Sequence, residues 1–219
     1  FNNASILVDL CLHLGSLIAI VFYFRKDLFN FVKNKNFLIK ILIATIPIIV
    51  VGYILYETGL INHLRSIEII AWMSLIFGIV LYLSDKTKIK KKIGLNFSNK
   101  DAVFFGILQT LSLIPGVSRS GIAITSGRIL GFSRFESAKI SFFLSIPTLF
   151  AASSLAIFDI YKEGNPDLNF LALISIILSA FFSYLTIVLF LNFIKKFSLN
   201  IFIIYRIIFS LILLGLIYL

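Results

Sequence analysis

Acidic side chains are the first scarcity in this sequence. Asp and Glu number 10 against 20 Lys and Arg in 219 residues, so charged groups make up 14% of the chain and the balance is +10 at pH 7. A soluble domain carries about a quarter charged residues, and this composition excludes a water-facing surface of ordinary kind. Cysteine is almost missing. The one thiol, Cys11, lies inside an apolar run, which excludes a disulfide framework and a thiolate metal site. Histidine stops at His63, and the ionisable residues that remain form no complete catalytic set. What is abundant is apolar length. Hydrophobic residues fill 59% of positions and mean hydropathy is +1.04, the signature of an integral membrane protein. The basic excess does not indicate nucleic acid, because it falls in short runs between apolar stretches, as loops flanking membrane spans do.

Six stretches are long enough to cross a bilayer at about 20 residues each: Ala4 to Phe24, Phe37 to Tyr56, Ile67 to Ser84, Ile140 to Ile160, Phe170 to Phe193 and Leu199 to Leu219. Between the third and fourth lie two apolar segments of only 13 and 11 residues, Ala102 to Ile114 and Gly121 to Gly131. At about 1.5 Å per residue each reaches roughly half the hydrocarbon thickness. The expected fold is therefore all-α: one integral membrane domain over 1–219, with six transmembrane helices and a re-entrant helical hairpin over 102–131.

Loop charges supply an independent test. Arg25 to Lys40 carries five basic residues and Ser84 to Lys100 carries six, and Lys195 and Lys196 follow the fifth span, so these loops are expected in the cytoplasm. The loops at Glu57 to Ser66 and Phe158 to Asn169 are poor in cations. Parity holds only if the hairpin enters and leaves on the cytoplasmic side, with Arg128 and Arg134 at its exit. Phe1 then lies outside, and the tip near Ser118 sits near mid-membrane.

The tip is Pro115-Gly116-Val117-Ser118-Arg119-Ser120-Gly121. Pro115 and Gly116 stop the first half-helix, Gly121 frees the backbone, and Ser118 or Ser120 can cap the second. Helix N-terminal N–H groups, two hydroxyls and a guanidinium fork together make an anion site suited to phosphate oxygens. The plainer alternative is that the glycines allow close helix packing and Arg119 pairs with a distant carboxylate. An arginine at mid-membrane is costly and seldom kept without a partner.

The residues here resemble a known family. Gly106-Ile107-Leu108-Gln109, then Leu113 to Gly121, then Arg128-Ile129-Leu130-Gly131-Phe132-Ser133-Arg134 are similar to the second signature of the bacterial undecaprenyl-diphosphate phosphatases, the bacitracin-resistance family. Ser141 to Pro147, Tyr205-Arg206, and Leu12 to Ala19 followed by Phe24 to Leu28 also fit, so the resemblance covers essentially the whole chain. It implies hydrolysis of undecaprenyl diphosphate to the monophosphate carrier lipid and phosphate, in the service of peptidoglycan synthesis, by a multi-pass protein of the bacterial inner membrane. It also implies two inverted repeats, each with a re-entrant hairpin. By this resemblance Arg119 clamps the diphosphate with Ser118 and Ser120 as catalytic neighbours, while Gly116, Gly121, Gln109, Thr125 and Arg206 belong to the substrate-binding set. Gln109 is expected to orient its neighbours. Arg206 is either a second phosphate ligand or a cation that snorkels to the cytoplasmic face.

Two departures from the family pattern stand out. Its first signature, a glutamate pair with a Ser-Ser-x-Gly-His element, would precede Phe1. The chain is thus expected to be an N-terminal truncation, inactive alone, with no metal ligand of its own and with the ligands of a divalent cation, magnesium or calcium, in the missing segment. Ala123 stands where many relatives carry threonine, and Thr125 either substitutes or faces a neighbouring helix. The expected partners are the polyprenyl diphosphate substrate and membrane lipids, with homodimerisation left open. A lipid transporter is the competing class, because broken helices at mid-membrane are transporter architecture. An acid-phosphatase-like lipid phosphatase needs a histidine where Thr125 stands.

The remaining candidates are weaker. Asp9 and His13 share a helix face and either carry function or satisfy each other. His63 is expected in a solvated loop. Glu57, Glu68, Asp101 and Glu136 fall at span ends, and Asp85 to Lys92 is expected to be a solvated or headgroup-facing charge run. Phe104, Phe105, Phe142, Phe143 and Phe150 either line a groove for the polyprenyl tail or serve as ordinary packing aromatics.

Overall fold

The computed structural model describes residues 3–33, 35–60, 64–163 and 166–218. Helices dominate, and among the described residues no strand forms beyond one isolated backbone bridge between Lys91 and Phe132. The elements used below are α1 (Asn3–Tyr23), α2 (Arg25–Lys33), α3 (Lys35–Glu57), α4 (Ile67–Asp85), α5 (Asn99–Thr110), α6 (Arg119–Ile129), α7 (Arg134–Glu163), α8 (Pro166–Lys196) and α9 (Asn200–Tyr218).

Among the described residues, four helical stretches are long and apolar enough to cross a membrane: Lys35–Glu57, Ile67–Asp85, Phe170–Lys196 and Asn200–Tyr218. Only 6% to 28% of the positions in their apolar windows are buried within the protein. Helices that apolar, with so little of their surface covered by protein, need lipid around them. The shorter apolar stretch Val8–Tyr23 belongs to α1. The expected fourth span lies inside α7, which runs unbroken over 30 residues with Pro147 in its interior. His63 falls outside the described residues.

The chain divides into two compact units. One comprises residues 1–35 and 142–193. Its seam is polar and small: Ser16 Oγ lies 3.0 Å from Ser183 Oγ and 3.3 Å from Ser179 Oγ, and Ser179 Oγ donates to the Leu12 carbonyl at 2.7 Å. Hydroxyls that bond across helices hold such a seam where apolar burial alone gives no preference for protein over lipid. Phe24 is fully buried against Phe142 and Phe143.

The other unit comprises residues 36–141 and 194–219 and holds the hairpin. Here α4 packs along α9 and against α6, and α6 packs against α5. A capping box starts α5: Asp101 N donates to Ser98 Oγ at 3.2 Å, and Ser98 N donates to Asp101 Oδ2 at 2.9 Å. The two half-helices expected from the sequence are present as α5 with a 3-10 turn at Leu111–Leu113, and α6. They are 12 and 11 residues long, each about half a bilayer's reach at about 1.5 Å per residue.

Of the five aromatics offered for a groove or for packing, Phe104 and Phe142 are half-buried and Phe150 is exposed. Phe105 is fully buried against Phe97, and Phe143 is buried against Phe24, so both are core.

Candidate active site

The tip of the hairpin is built by strain and close approach. Ser118 has φ 68° and ψ 118°, and among the described residues it is the one non-glycine with positive φ. Such a conformation costs about 1 to 3 kcal/mol and persists only where its surroundings hold it. Its neighbour Gly116 has φ +93°, and a Cβ there would stand 2.4 Å from the Ile70 carbonyl oxygen of α4. No other residue type fits this turn without displacing α4.

The same strained serine is the N-cap of α6. Ser118 Oγ accepts from Gly121 N at 3.2 Å, and the Ser118 carbonyl accepts from Ile122 N at 2.9 Å, which settles the capping role on Ser118. Ser120 Oγ stands 3.4 Å from Ser118 Oγ, and both serines are exposed. Two hydroxyls therefore flank the positive end of the helix dipole.

Two guanidiniums meet this point. Arg119 is half-buried beside the fully buried Gln109, whose amide oxygen, in the orientation that satisfies both groups, accepts from Arg119 Nη2 at 3.3 Å and Nε at 3.2 Å. Arg206, carried by α9, donates from Nη2 to the carbonyls of Gly116 at 2.8 Å and Val117 at 3.0 Å. A Cβ on Gly121 would lie 2.8 Å from Arg206 Nη1. The snorkelling alternative for Arg206 is thereby corrected: its head is tied to the tip, because two turn carbonyls otherwise lack helix partners. Thr125 is buried, and its hydroxyl donates to the Gly121 carbonyl at 2.8 Å, so it braces the first turn of α6.

The structure thus brings Gly116, Ser118, Arg119, Ser120, Gly121, Gln109 and Arg206 to one turn, with Thr125 one helical turn behind. These donors are guanidinium, amide and hydroxyl groups. They suit an anion and do not fit a divalent cation, which wants carboxylate or carbonyl oxygens. Among the described residues, no cluster of three or more His, Cys, Asp or Glu could hold a metal. Asp9 and His13 are exposed, and among the described residues no hydrogen bond joins them.

The far end of the hairpin shows what the sequence reading missed. Asp85 was expected in a solvated charge run, yet its side chain is only 5% exposed. It accepts from Arg134 through two bonds, Nε to Oδ1 at 2.7 Å and Nη2 to Oδ2 at 2.8 Å. Arg128 is buried beside it. Its Nη1 donates to the Phe132 carbonyl at 2.6 Å, and its Nη2 donates to the carbonyls of Asp85 at 2.8 Å and Thr87 at 2.6 Å. Arg128 Nε lies 3.3 Å from Asp85 Oδ1, an ion-pair distance, but is angled off it and makes no hydrogen bond.

Asp101 and Glu136 were likewise expected as simple boundary residues. Asp101 is buried and paired with Lys91 at 2.6 Å. Burial alone would raise its pKa, but bonds from Lys91 and Ser98 outweigh that and hold the carboxyl below its usual range. Glu136 accepts from Ile93 N at 3.1 Å and from Ser133 Oγ at 3.2 Å. The spacings Ser98-x-x-Asp101 and Ser133-x-x-Glu136 are a local capping signal for both carboxylates, whereas their partners Lys91 and Ile93 come from another segment and leave no such mark.

Comparison with known proteins agrees with the motif. Residues 1–212 match the family described as bacitracin resistance protein BacA. The chain belongs to the BacA family. Similar BacA-type relatives include an undecaprenyl-diphosphatase of Pelagibacter ubique (strain HTCC1062), 51% identical over 219 residues, which spans 100% of this chain and 85% of the relative. One from Elusimicrobium minutum (strain Pei191) is 39% identical over 209 residues, covering 91% of this chain and 78% of the relative. One from Roseobacter denitrificans (strain ATCC 33942 / OCh 114) is 34% identical, covering 97% and 84%.

Proposed function

We propose that this protein is an undecaprenyl-diphosphate phosphatase of the bacterial inner membrane, releasing phosphate from the diphosphate to leave the monophosphate carrier lipid. The observation that carries this reading is the convergence of Arg119, Arg206, Ser118 and Ser120 on the N-terminus of α6. Membership of the BacA family and the names of its relatives support the same substrate.

In this reading the hairpin is re-entrant and its tip lies within the membrane. The fork of Arg119, held by Gln109, binds diphosphate oxygens and strengthens its hold as charge develops on the leaving phosphate. Ser118 and Ser120 donate to the same oxygens, and Arg206 fixes the turn while its Nη1 faces the Gly121 side of the site. The proposal extends to cell-wall carrier-lipid recycling and bacitracin resistance as the cellular roles. It also includes a response to magnesium or calcium, whose ligands are not the tip residues.

The test is phosphate release from undecaprenyl diphosphate by the full-length protein, with and without magnesium or calcium. Release that depends on Arg119 supports the reading. Movement of the lipid across vesicles without phosphate release would replace it with transport.

A further inference from the structure

Away from the tip, at the opposite end of α6, a cleft of about 530 Å³ opens between the loop after α4, the start of α7 and the end of α8. Arg119 and Arg128 are nine positions apart on one helix, so the cleft lies about 14 Å along the axis from the tip. Lys88, Arg128, Arg134 and Lys195 line it, and no acidic residue does. Asp85 stands behind, engaged by Arg134. Glu136 accepts from Ser133 of the wall, so two carboxylates stand behind four cations and the cleft keeps a positive balance.

Two of these cations are not consumed by the fold. Among the described residues neither Lys88 nor Lys195 has a carboxylate within ion-pair distance, and Lys195 Nζ rests 4.6 Å over the Phe135 ring. Arg128 is only 4% exposed, yet its Nε is without a hydrogen bond. Beside the cations the wall is apolar, formed by Ile89, Phe135 and Ile194. The cleft also stands where two apolar membrane-length helices end, α4 at Asp85 and α8 at Lys196.

We propose that this cleft binds the phosphate group of an anionic lipid headgroup. Guanidinium and ammonium donors recognise the phosphate oxygens, and the apolar wall receives the glycerol and upper acyl carbons. Inorganic phosphate carries the same charge chemistry but has nothing to place on that wall. The depth, at the ends of spanning helices beside a lysine-rich loop, is where headgroups lie. The site is separate from the tip and does not depend on what the tip hydrolyses.

The experiment uses the purified full-length protein and the K88Q/K195Q variant, which keeps Arg128, Arg134 and Asp85 intact. Retention of phosphatidylglycerol against phosphatidylcholine is read by native mass spectrometry and by binding to vesicles of each lipid. The expected result is preference for phosphatidylglycerol, reduced about thirtyfold in the double variant, with phosphate release from undecaprenyl diphosphate unchanged. Inorganic phosphate at the lipid's own concentration is expected not to displace it. Equal retention by the variant, no preference for the anionic lipid, or displacement by equimolar inorganic phosphate would each overturn the proposal.

Discussion

Two arginines meet the hairpin at each of its ends, and their surroundings are opposite in kind. At the base, Arg128 and Arg134 share the buried carboxylate of Asp85. At the tip, Arg119 meets the Gln109 amide and Arg206 meets the carbonyls of Gly116 and Val117. A carboxylate cancels charge as well as fixing geometry, whereas neutral oxygens fix geometry and leave the charge in place. The base is therefore a charge-paired lock, and the tip is the place we propose as an anion receptor, although both are made of the same residue type. The difference lies in which oxygen stands opposite each guanidinium.

The sharpest way to break that contrast is to remove the lock. Asp85→Ala leaves two guanidiniums without their carboxylate, one of them buried, and is expected to destabilise the protein by about 3 to 5 kcal/mol. Thermal unfolding in detergent reads this, and a loss under about 1 kcal/mol would remove the lock from the account. At the tip the opposite signature is expected. Arg119→Ala should lower phosphate release by about 10² to 10³ while the unfolding midpoint stays close to that of the wild type. Arg119→Lys should also be poor, because a point ammonium does not reproduce the planar fork. A variant that unfolds as readily as Asp85→Ala would make Arg119 a structural residue.

Between these lies the turn itself. Gly116→Ala forces a side chain into a left-handed conformation and against the Ile70 carbonyl, with an expected cost of about 1 to 3 kcal/mol. Because Ile70 belongs to α4, the damage should spread to α4 and its neighbours, and turnover should fall together with stability. Turnover lost at unchanged stability would mean that the turn bends without moving α4.

How far the sequence foretold this depends on the range of the interaction. The spans over Phe37 to Tyr56 and Ile67 to Ser84 match α3 and α4 within two residues, because apolar runs bounded by charge are a local signal. The short halves of the hairpin and the break at Pro115-Gly116 are local too. The sequence narrows the capping role to Ser118 or Ser120, and backbone geometry decides for Ser118. Arg206 and Asp85 were ambiguous or misread for one reason: their partners are distant. Arg206 meets Gly116 across 90 residues, and Asp85 meets Arg134 across 49. Composition around Asp85, in a loop rich in lysine, predicts solvation for any carboxylate and gives no hint of two arginines from another segment.

The smallest effect refines the base. Asp101 carries the capping box of α5 and the bond to Lys91, and these hold its carboxyl below the ordinary range despite burial. A carboxyl depressed in the folded state binds a proton more readily when unfolded, so its contribution is present at neutral pH. It is lost as pH falls through about 3.9, the ordinary aspartate value, towards the lower folded one. Lys91 is partly exposed, which limits the pair to about 1 kcal/mol. Asp101→Asn should therefore lower the unfolding midpoint at pH 7, and the gap from wild type should close as the pH is taken below about 4. A gap that stays constant down to pH 3 would assign the effect to the geometry of the capping box, since asparagine retains the size of the side chain but not its charge. That outcome would leave Asp85 as the carboxylate that holds the hairpin base by charge.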